Sequence, residues 1–383
     1  MKVLKFGGAS VNSPERIKNI YNIIKEHYSA PLVIVISAMG KITNALEKVA
    51  ESFCKGRQSE ALDQFNKIKQ QHIEITKALL SNGFEQCIDH FNSITTEVEW
   101  ILHDKPVREE NYYYDQIVCA GELMSTVIIS HFFNEKGLNT QWIDVRDIIK
   151  TDNNFKDANV NWTDTKMNME VTMANKQTIW ITQGFIGSTD ENESTTLGRE
   201  GSDYTAAIFA NLLNAESMTI WKDVENVMSA DPKQFPDAKP IPELNYEEII
   251  EMAYYGAQVI HPKTIKPLYQ KKIPLYVKCF LNPSLPGTII HNNNIKNLPP
   301  IIVRKENQVL IRFLSKDYSF VGEKPVGQLY HLFENLSIRP SLIQNGAISL
   351  SCCIDNREEK IEKLTSAAGE LFDIHIEKGL TLL

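Results

Sequence analysis

The first 37 residues alternate in kind, and this alternation constrains the fold more than any other feature of the chain. Lys2–Phe6 is a short apolar run that ends at Gly7-Gly8, the pattern of a buried strand closed by a turn. Ser13-Pro14-Glu15 then supplies an N-cap, a first-turn proline and an early acidic residue. Ile17, Ile20, Ile23 and Ile24 follow at helical spacing, Pro31 breaks the helix, and Leu32–Ile36 is a second, wholly apolar run. Strand, helix and strand over this length form a βαβ unit, two parallel strands joined by a right-handed crossover.

The same rhythm continues. Residues 41 to about 104 read as helical, and a further helix is expected over 115–134, where Ile117, Ala120, Met124, Ile128 and Phe132 share a face. Strands are expected near 140–144, 178–183, 217–221 and 274–279, with helices over 163–175, 203–213, 245–254 and 262–270. This is an α/β pattern: a mostly parallel sheet with helices on both faces. Asn, Pro and Gly dominate residues 282–300, which read as a linker. Beyond it come a strand (308–314), a helix (324–335), two strands (about 337–343 and 347–354) around Asn345-Gly346, a helix (357–369) and a last strand near 371–376. That order, βαββαβ, is the ferredoxin-like arrangement. Two domains are therefore expected, 1–281 and 301–383.

Composition excludes several classes of function. With 43% hydrophobic and 23% charged residues and a net charge of −8, the chain has no electrostatic footprint for nucleic acid or for an anionic membrane. An anionic ligand must be held by local groups. The six cysteines include no CxxC pair and the nine histidines show no metal-ligand spacing, so neither a disulfide framework nor a protein-built metal centre is expected. The opening residues form neither a signal peptide nor a membrane span, and the expected location is the cytoplasm.

Candidate chemistry gathers where strands end. At Lys5-Phe6-Gly7-Gly8 two glycines let backbone N–H groups face phosphate oxygens, with Lys5 as a point charge beside them. Ser37-Ala38-Met39-Gly40 ends the second strand, and ligands of open α/β sheets collect at such carboxyl ends. Ser37 and Thr43 suit a ligand or, equally, the capping of the next helix. Glu122, in Gly121-Glu122-Leu123-Met124, is a carboxylate within an apolar helix and suits an ammonium group. The run from Thr196 to Ala206 flanks Arg199 with glycines ahead of Ser202-Asp203 and a helix start, a setting for a carboxylate or phosphate. Asp203 also suits a plain N-cap. Lys222-Asp223 and Ser229-Ala230-Asp231-Pro232-Lys233 follow another strand, and His261-Pro262 reads as a helix-start turn.

In order along the chain, KFGGASV, SAMGKITNAL, GELMS, TLGREGSDYTAA, WKDV…SADPK and GAQVIHPKT resemble the aspartate kinases of the amino-acid kinase family, over roughly residues 1–290. The tail resembles the ACT regulatory domains that such enzymes carry, and is shorter than their usual pair. The resemblance implies phosphorylation of the L-aspartate side-chain carboxylate by ATP with Mg²⁺. It implies that Lys5 and Asp203 are catalytic, and that Ser37, Thr43, Glu122, Phe185, Arg199 and Ser202 surround aspartate. Lys5, Phe6, Gly7, Gly8, Ser10, Lys222, Asp223, Met228, Lys233 and Gln258 would contact the nucleotide. A lysine or threonine effector and a homo-oligomer are also implied. The family usually has Thr at Ala9, and Thr, Tyr, Arg and Lys at Lys222, Met228, Lys233 and Gln258. These nucleotide-side departures leave open a second reading, a catalytically idle regulatory homologue that keeps the aspartate pocket.

Overall fold

The computed structural model describes every residue except Lys176, Gln258 and Val321. The chain forms two compact units. The first comprises Met1–Met228, Pro240–Ile249 and Ile260–Leu298; the second comprises Ser229–Lys239, Ile250–Val259 and Pro299–Leu383.

The opening βαβ unit is present as β1 (Lys2–Phe6), α1 (Pro14–His27) and β2 (Leu32–Ile36). Ser13 caps α1, its Oγ accepting the Arg16 N–H at 3.4 Å, with Pro14 in the first turn. The long helical stretch is three helices, α2 (Ile42–Cys54), α3 (Gln58–Leu79) and α4 (Phe84–His103). Gly56, at φ +73°, and Gly83 mark the breaks between them. Next come α5 (Glu110–Glu135), β3 (Thr140–Ile143), α6 (Trp162–Thr172), β4 (Ile179–Gln183), β5 (Ile186–Ser188), β6 (Ser194–Thr196), α7 (Gly201–Leu212) and β7 (Ser217–Lys222). The unit is completed by β8 (Val227–Met228), β9 (Pro240–Ile241), β10 (Glu243–Asn245), the start of α8 (Tyr246–Tyr254), α9 (Pro262–Lys271), β11 (Leu275–Cys279) and β12 (Thr288–His291). That last strand lies inside the stretch read from composition as linker. Its Thr288 and Ile290 are buried, which a bare Asn/Pro/Gly count does not register.

Eight strands form one sheet in the order β10-β12-β11-β7-β1-β2-β4-β3, every neighbouring pair parallel except β11 and β12. All five residues of β2 and of β4 are buried, so both faces of the sheet are covered there, as continuous apolar runs require. α5 is long and apolar enough to cross a membrane by length and composition, but 89% of that window is buried inside the protein. It is a core helix.

In the second unit, β13 (Lys305–Ser315), α10 (Glu323–Asn335), β14 (Leu342–Asn345), β15 (Ser349–Asp355), α11 (Glu358–Ala368) and β16 (Phe372–Leu382) follow the ferredoxin-like order. Their antiparallel sheet runs β14-β15-β13-β16. Val309, Ile311, Phe313, Leu329, Phe333, Leu350 and Leu364 form its core. Cys352 and Cys353 are buried free thiols on β15. The first hairpin strand begins at Leu342, not 337, because Ser337 takes a left-handed φ of +48° and Pro340 follows it. The Asn345-Gly346 signal does mark the turn, where the Gly346 N–H bonds the Ser349 carbonyl at 2.7 Å.

Candidate active site

The carboxyl ends of β7, β1 and β2 are adjacent, because Phe6 pairs with Trp221 on one side and with Ile36 on the other. The loops leaving β1 and β2 are tied together. The Ser37 N–H bonds the Phe6 carbonyl at 3.1 Å, and the Gly40 N–H bonds the Gly8 carbonyl at 3.0 Å. A Cβ on Gly8 would stand 2.7 Å from the Ala38 carbonyl oxygen and 2.8 Å from that of Gly40, so only glycine fits. At this junction the Lys5 ammonium lies 2.7 Å from Oδ1 of Asp203, both side chains being largely buried.

Asp203 is not the cap of α7. The helix starts at Gly201, with Glu200 at the cap position in a left-handed conformation (φ +53°) and no side-chain cap bond. Asp203 sits in the first turn, and its carboxylate turns to Lys5 instead. The contact is ionic and not directional, since Oδ1 meets no donor in hydrogen-bonding geometry. Similarly, α2 has no side-chain cap bond, so Ser37 and Thr43 do not serve as its caps. Phe185 holds a left-handed φ of +71°, secured by its N–H to Thr205 Oγ1 (3.0 Å) and its carbonyl to the Leu197 N–H (2.8 Å). Two glycines make room around it. A Cβ on Gly184 would stand 2.5 Å from Ser202 Cβ, and one on Gly201 would stand 2.7 Å from Phe185 Cδ2.

Helix α5 carries two buried carboxyls about two turns apart, hence on one face. Burial pushes Glu122 up to about 8, opposed by a backbone hydrogen bond from Ala38 and by the charge of Lys5. Its Oε2 is buried without a partner. Asp115 is pushed up to about 6 by burial, although four donor contacts oppose this. The Lys156 N–H approaches both of its oxygens (3.2 and 3.1 Å), and Thr196 donates its N–H (2.8 Å) and Oγ1 (2.7 Å). Asp115 thus ties the loop before α6 to the start of the Arg199 loop.

These elements enclose a cleft of about 790 Å³ lined by Lys5, Gly8, Ser37, Thr43, Glu122, Phe185, Arg199, Ser202, Asp203 and Lys222, all expected from the sequence. Arg199 is exposed there, with no hydrogen bond or ion pair among the described residues. Other expected residues fall elsewhere. Phe6 is a core residue stacked on Trp221 (ring centroids 5.9 Å apart), and Ser10 is buried. Gly7 shapes the turn beside Lys5 without lining the cleft. Asp223 is exposed and Met228 pairs with Pro240 in β8–β9, both off the cleft wall. Lys233 belongs to the second unit, its N–H bonded to Asp231 (3.0 Å), and Gln258 lies outside the described residues. The cleft also gathers Asn44, Glu47, Tyr114, Lys156 and Glu200, which sequence reasoning missed. Glu47 follows Thr43 by one helical turn and was findable by spacing. Lys156, in a polar loop, carried no signal.

A model of the amino acid kinase family matches residues 1–279. Aspartokinase 2, chloroplastic, of Arabidopsis thaliana is 30% identical over 99% of this chain and 72% of its own. The bifunctional aspartokinase/homoserine dehydrogenase 2, chloroplastic, of the same plant is 32% identical over 75% of this chain, and the match spans 32% of that protein's length. The crystal structure of E. coli aspartokinase III in complex with aspartate and ADP (R-state) aligns with a TM-score of 0.83 at 28% identity, covering 100% of this chain and 86% of that one. The chain belongs to the amino acid kinase family and, within it, to the aspartokinases.

Proposed function

We propose that the cleft transfers the γ-phosphoryl group of ATP to the side-chain carboxylate of L-aspartate, giving 4-phospho-L-aspartate and ADP. The observation that carries this reading is the meeting, in one cleft, of Lys5 beside the Gly8 turn with Glu122, Arg199 and Ser202. The first pair suits phosphates and the others suit an amino acid.

In this reading Arg199 pairs with the α-carboxylate of aspartate and Glu122 with its ammonium, while Ser37, Thr43, Phe185 and Ser202 fix the side chain. The aspartate side-chain carboxylate is ionised near neutral pH, so no general base is required. One of its oxygens attacks the γ-phosphorus, the bond to the β-phosphate oxygen breaks, and ADP leaves. The difficulty is to bring two anions into line. Lys5 and the N–H groups of the glycine turn oppose the charge on the transferring group, and Asp203 holds Lys5 in place. Lys222, on the cleft wall, is assigned to the nucleotide, and Asp223 joins it by resemblance alone.

Mg²⁺, carried on the nucleotide, would share the phosphate charge. The described residues contain no cluster of three metal-ligating side chains. Asp203, a carboxylate on the cleft wall, would meet such an ion through the oxygen that Lys5 does not take, with the phosphates as its main ligands.

Incubation with ATP, Mg²⁺, hydroxylamine and L-aspartate should yield aspartyl hydroxamate, and L-glutamate should not replace aspartate. Folded protein that binds aspartate without forming product would favour the idle regulatory homologue. The second unit is the proposed seat of a feedback amino acid, lysine or threonine, and of homo-oligomer contacts. Inhibition in the same assay and light scattering test these two points.

A further inference from the structure

We infer that Lys156 is a second cation for the amino-acid substrate, a specificity residue that joins Arg199 on the α-carboxylate. This rests on the function proposed above and deepens it.

The backbone gives the first indication. Lys156 holds a left-handed φ of +72°, a conformation that costs a residue with a side chain about 1 kcal/mol and costs glycine little. The strain is maintained from the core, because both oxygens of the buried Asp115 carboxylate face the Lys156 N–H. The loop is thus held in one shape by α5, and that shape directs a long charged side chain into the wall of the cleft.

The side chain gives the second. Its ammonium lies 4.5 Å from the centre of the Tyr114 ring, and the Tyr114 hydroxyl is fixed by donating to Glu47 at 2.7 Å. A ring face positions a cation without using its N–H donors. Among the described residues, no acceptor bonds the Lys156 ammonium and no carboxylate pairs with it. Nearby cations differ: Lys5 is held by Asp203, and Lys263 by Asp157 (2.6 Å) and the Leu197 carbonyl (3.1 Å).

Position gives the third. The Lys156 carbonyl oxygen is 3.4 Å from where a Cβ of Gly198 would stand, so its backbone abuts the residue that precedes Arg199. Lys156 and Arg199 therefore rise from touching loops into one cleft, whose lining also includes Glu122 with its unpartnered oxygen. Two cations and one carboxylate complement an α-carboxylate and an α-ammonium on one carbon. A lone guanidinium already disfavours an amide in place of the α-carboxylate, and a second cation enlarges that penalty.

The test uses the intact chain and isoasparagine, in which the α-carboxylate is an amide. Lys156→Met should raise KM for L-aspartate about tenfold, leave KM for ATP within about twofold, and cut discrimination between aspartate and isoasparagine by about tenfold. Lys156→Arg should restore most of that discrimination. Lys156→Gly should show the same kinetic loss without a lower melting temperature, which separates the missing cation from misfolding. Calorimetric titration with aspartate should show the same loss of affinity. The inference is overturned if Lys156→Met phosphorylates aspartate with parental KM and parental discrimination. A parent chain that neither binds nor phosphorylates aspartate would instead fail the proposed function, and this inference with it.

Discussion

The Lys5 ammonium stands 2.7 Å from Oδ1 of Asp203, joining the end of the central strand β1 to the first turn of α7. Lys5→Met should lower hydroxamate formation by roughly 10²-fold or more, since in the proposed reaction it removes a preorganised cation from the phosphoryl path. It should also cost about 3 kcal/mol of stability by leaving a buried carboxylate unpaired. Urea unfolding measures the second effect. A stability loss with normal turnover would make the pair a structural strut and nothing more.

Glu122 makes a signed prediction about pH. Burial raises its carboxyl to about 8, yet pairing with the aspartate ammonium needs the ionised form. Aspartate binding should therefore release protons below pH 8, and kcat/KM for aspartate should climb with pH towards a plateau above it. In the free protein the native state keeps this proton to about pH 8, whereas the unfolded chain loses it near the ordinary glutamate value of 4.5. Stability contributed by this group is thus present at low pH and lost as pH rises between those values. Glu122→Gln should flatten both profiles, and parallel profiles for variant and parent would reject the assignment.

Asp115 acts through others. Asp115→Ala should release the loop at Lys156 and the strand at Thr196 together, at a cost of about 3 kcal/mol for the stranded donors. If those segments carry the aspartate side of the cleft, as proposed, KM for aspartate should rise by more than KM for ATP. Equal rises in both would show a general loosening and not a local tie.

Glu135 offers a contrast away from the cleft. Its carboxylate accepts the N–H groups of Ser81 (3.0 Å), Asn82 (3.0 Å) and Gly83 (3.0 Å), and these bonds hold it down at about 2. Its stabilisation is fully present above the ordinary glutamate value of 4.5 and disappears as pH falls to about 2. Glu135→Ala should be less stable than the parent at pH 7 and equal to it near pH 2, with hydroxamate kinetics unaltered. Denaturant midpoints at several pH values decide this.

The parallel core and the strand-end loops were legible because their signals are local: apolar runs closed by glycine, and motifs such as Gly198-Arg199 that carry their own turn. The Phe6 side chain stands apart from the cleft for a physical reason. Within Lys5-Phe6-Gly7-Gly8 alternate side chains face opposite ways, so Lys5 reaches the cleft and Phe6 stacks on Trp221. Asp203 looked like a cap because a cap and an ion-pair partner differ only in a residue 198 positions away. Strands β8, β9, β10 and β12 are too short for any periodicity to show. The corner of Glu47, Tyr114 and Lys156 comes from three segments whose meeting no single stretch of sequence encodes.

The shared register of β7, β1 and β2 has a consequence for how this cleft can change. Neighbouring strands keep a spacing of about 4.8 Å, so the sheet works as a fixed ruler beneath the reacting groups. Substitution cannot stretch that ruler without undoing the pairs of Phe6 with Ile36 and Trp221. A search for variants that accept a longer or differently charged amino acid would therefore gain little from residues on the strands. It should draw its diversity from the two loops that meet at Lys156 and Gly198, where backbone can be remodelled while the distance scale of the chemistry stays constant.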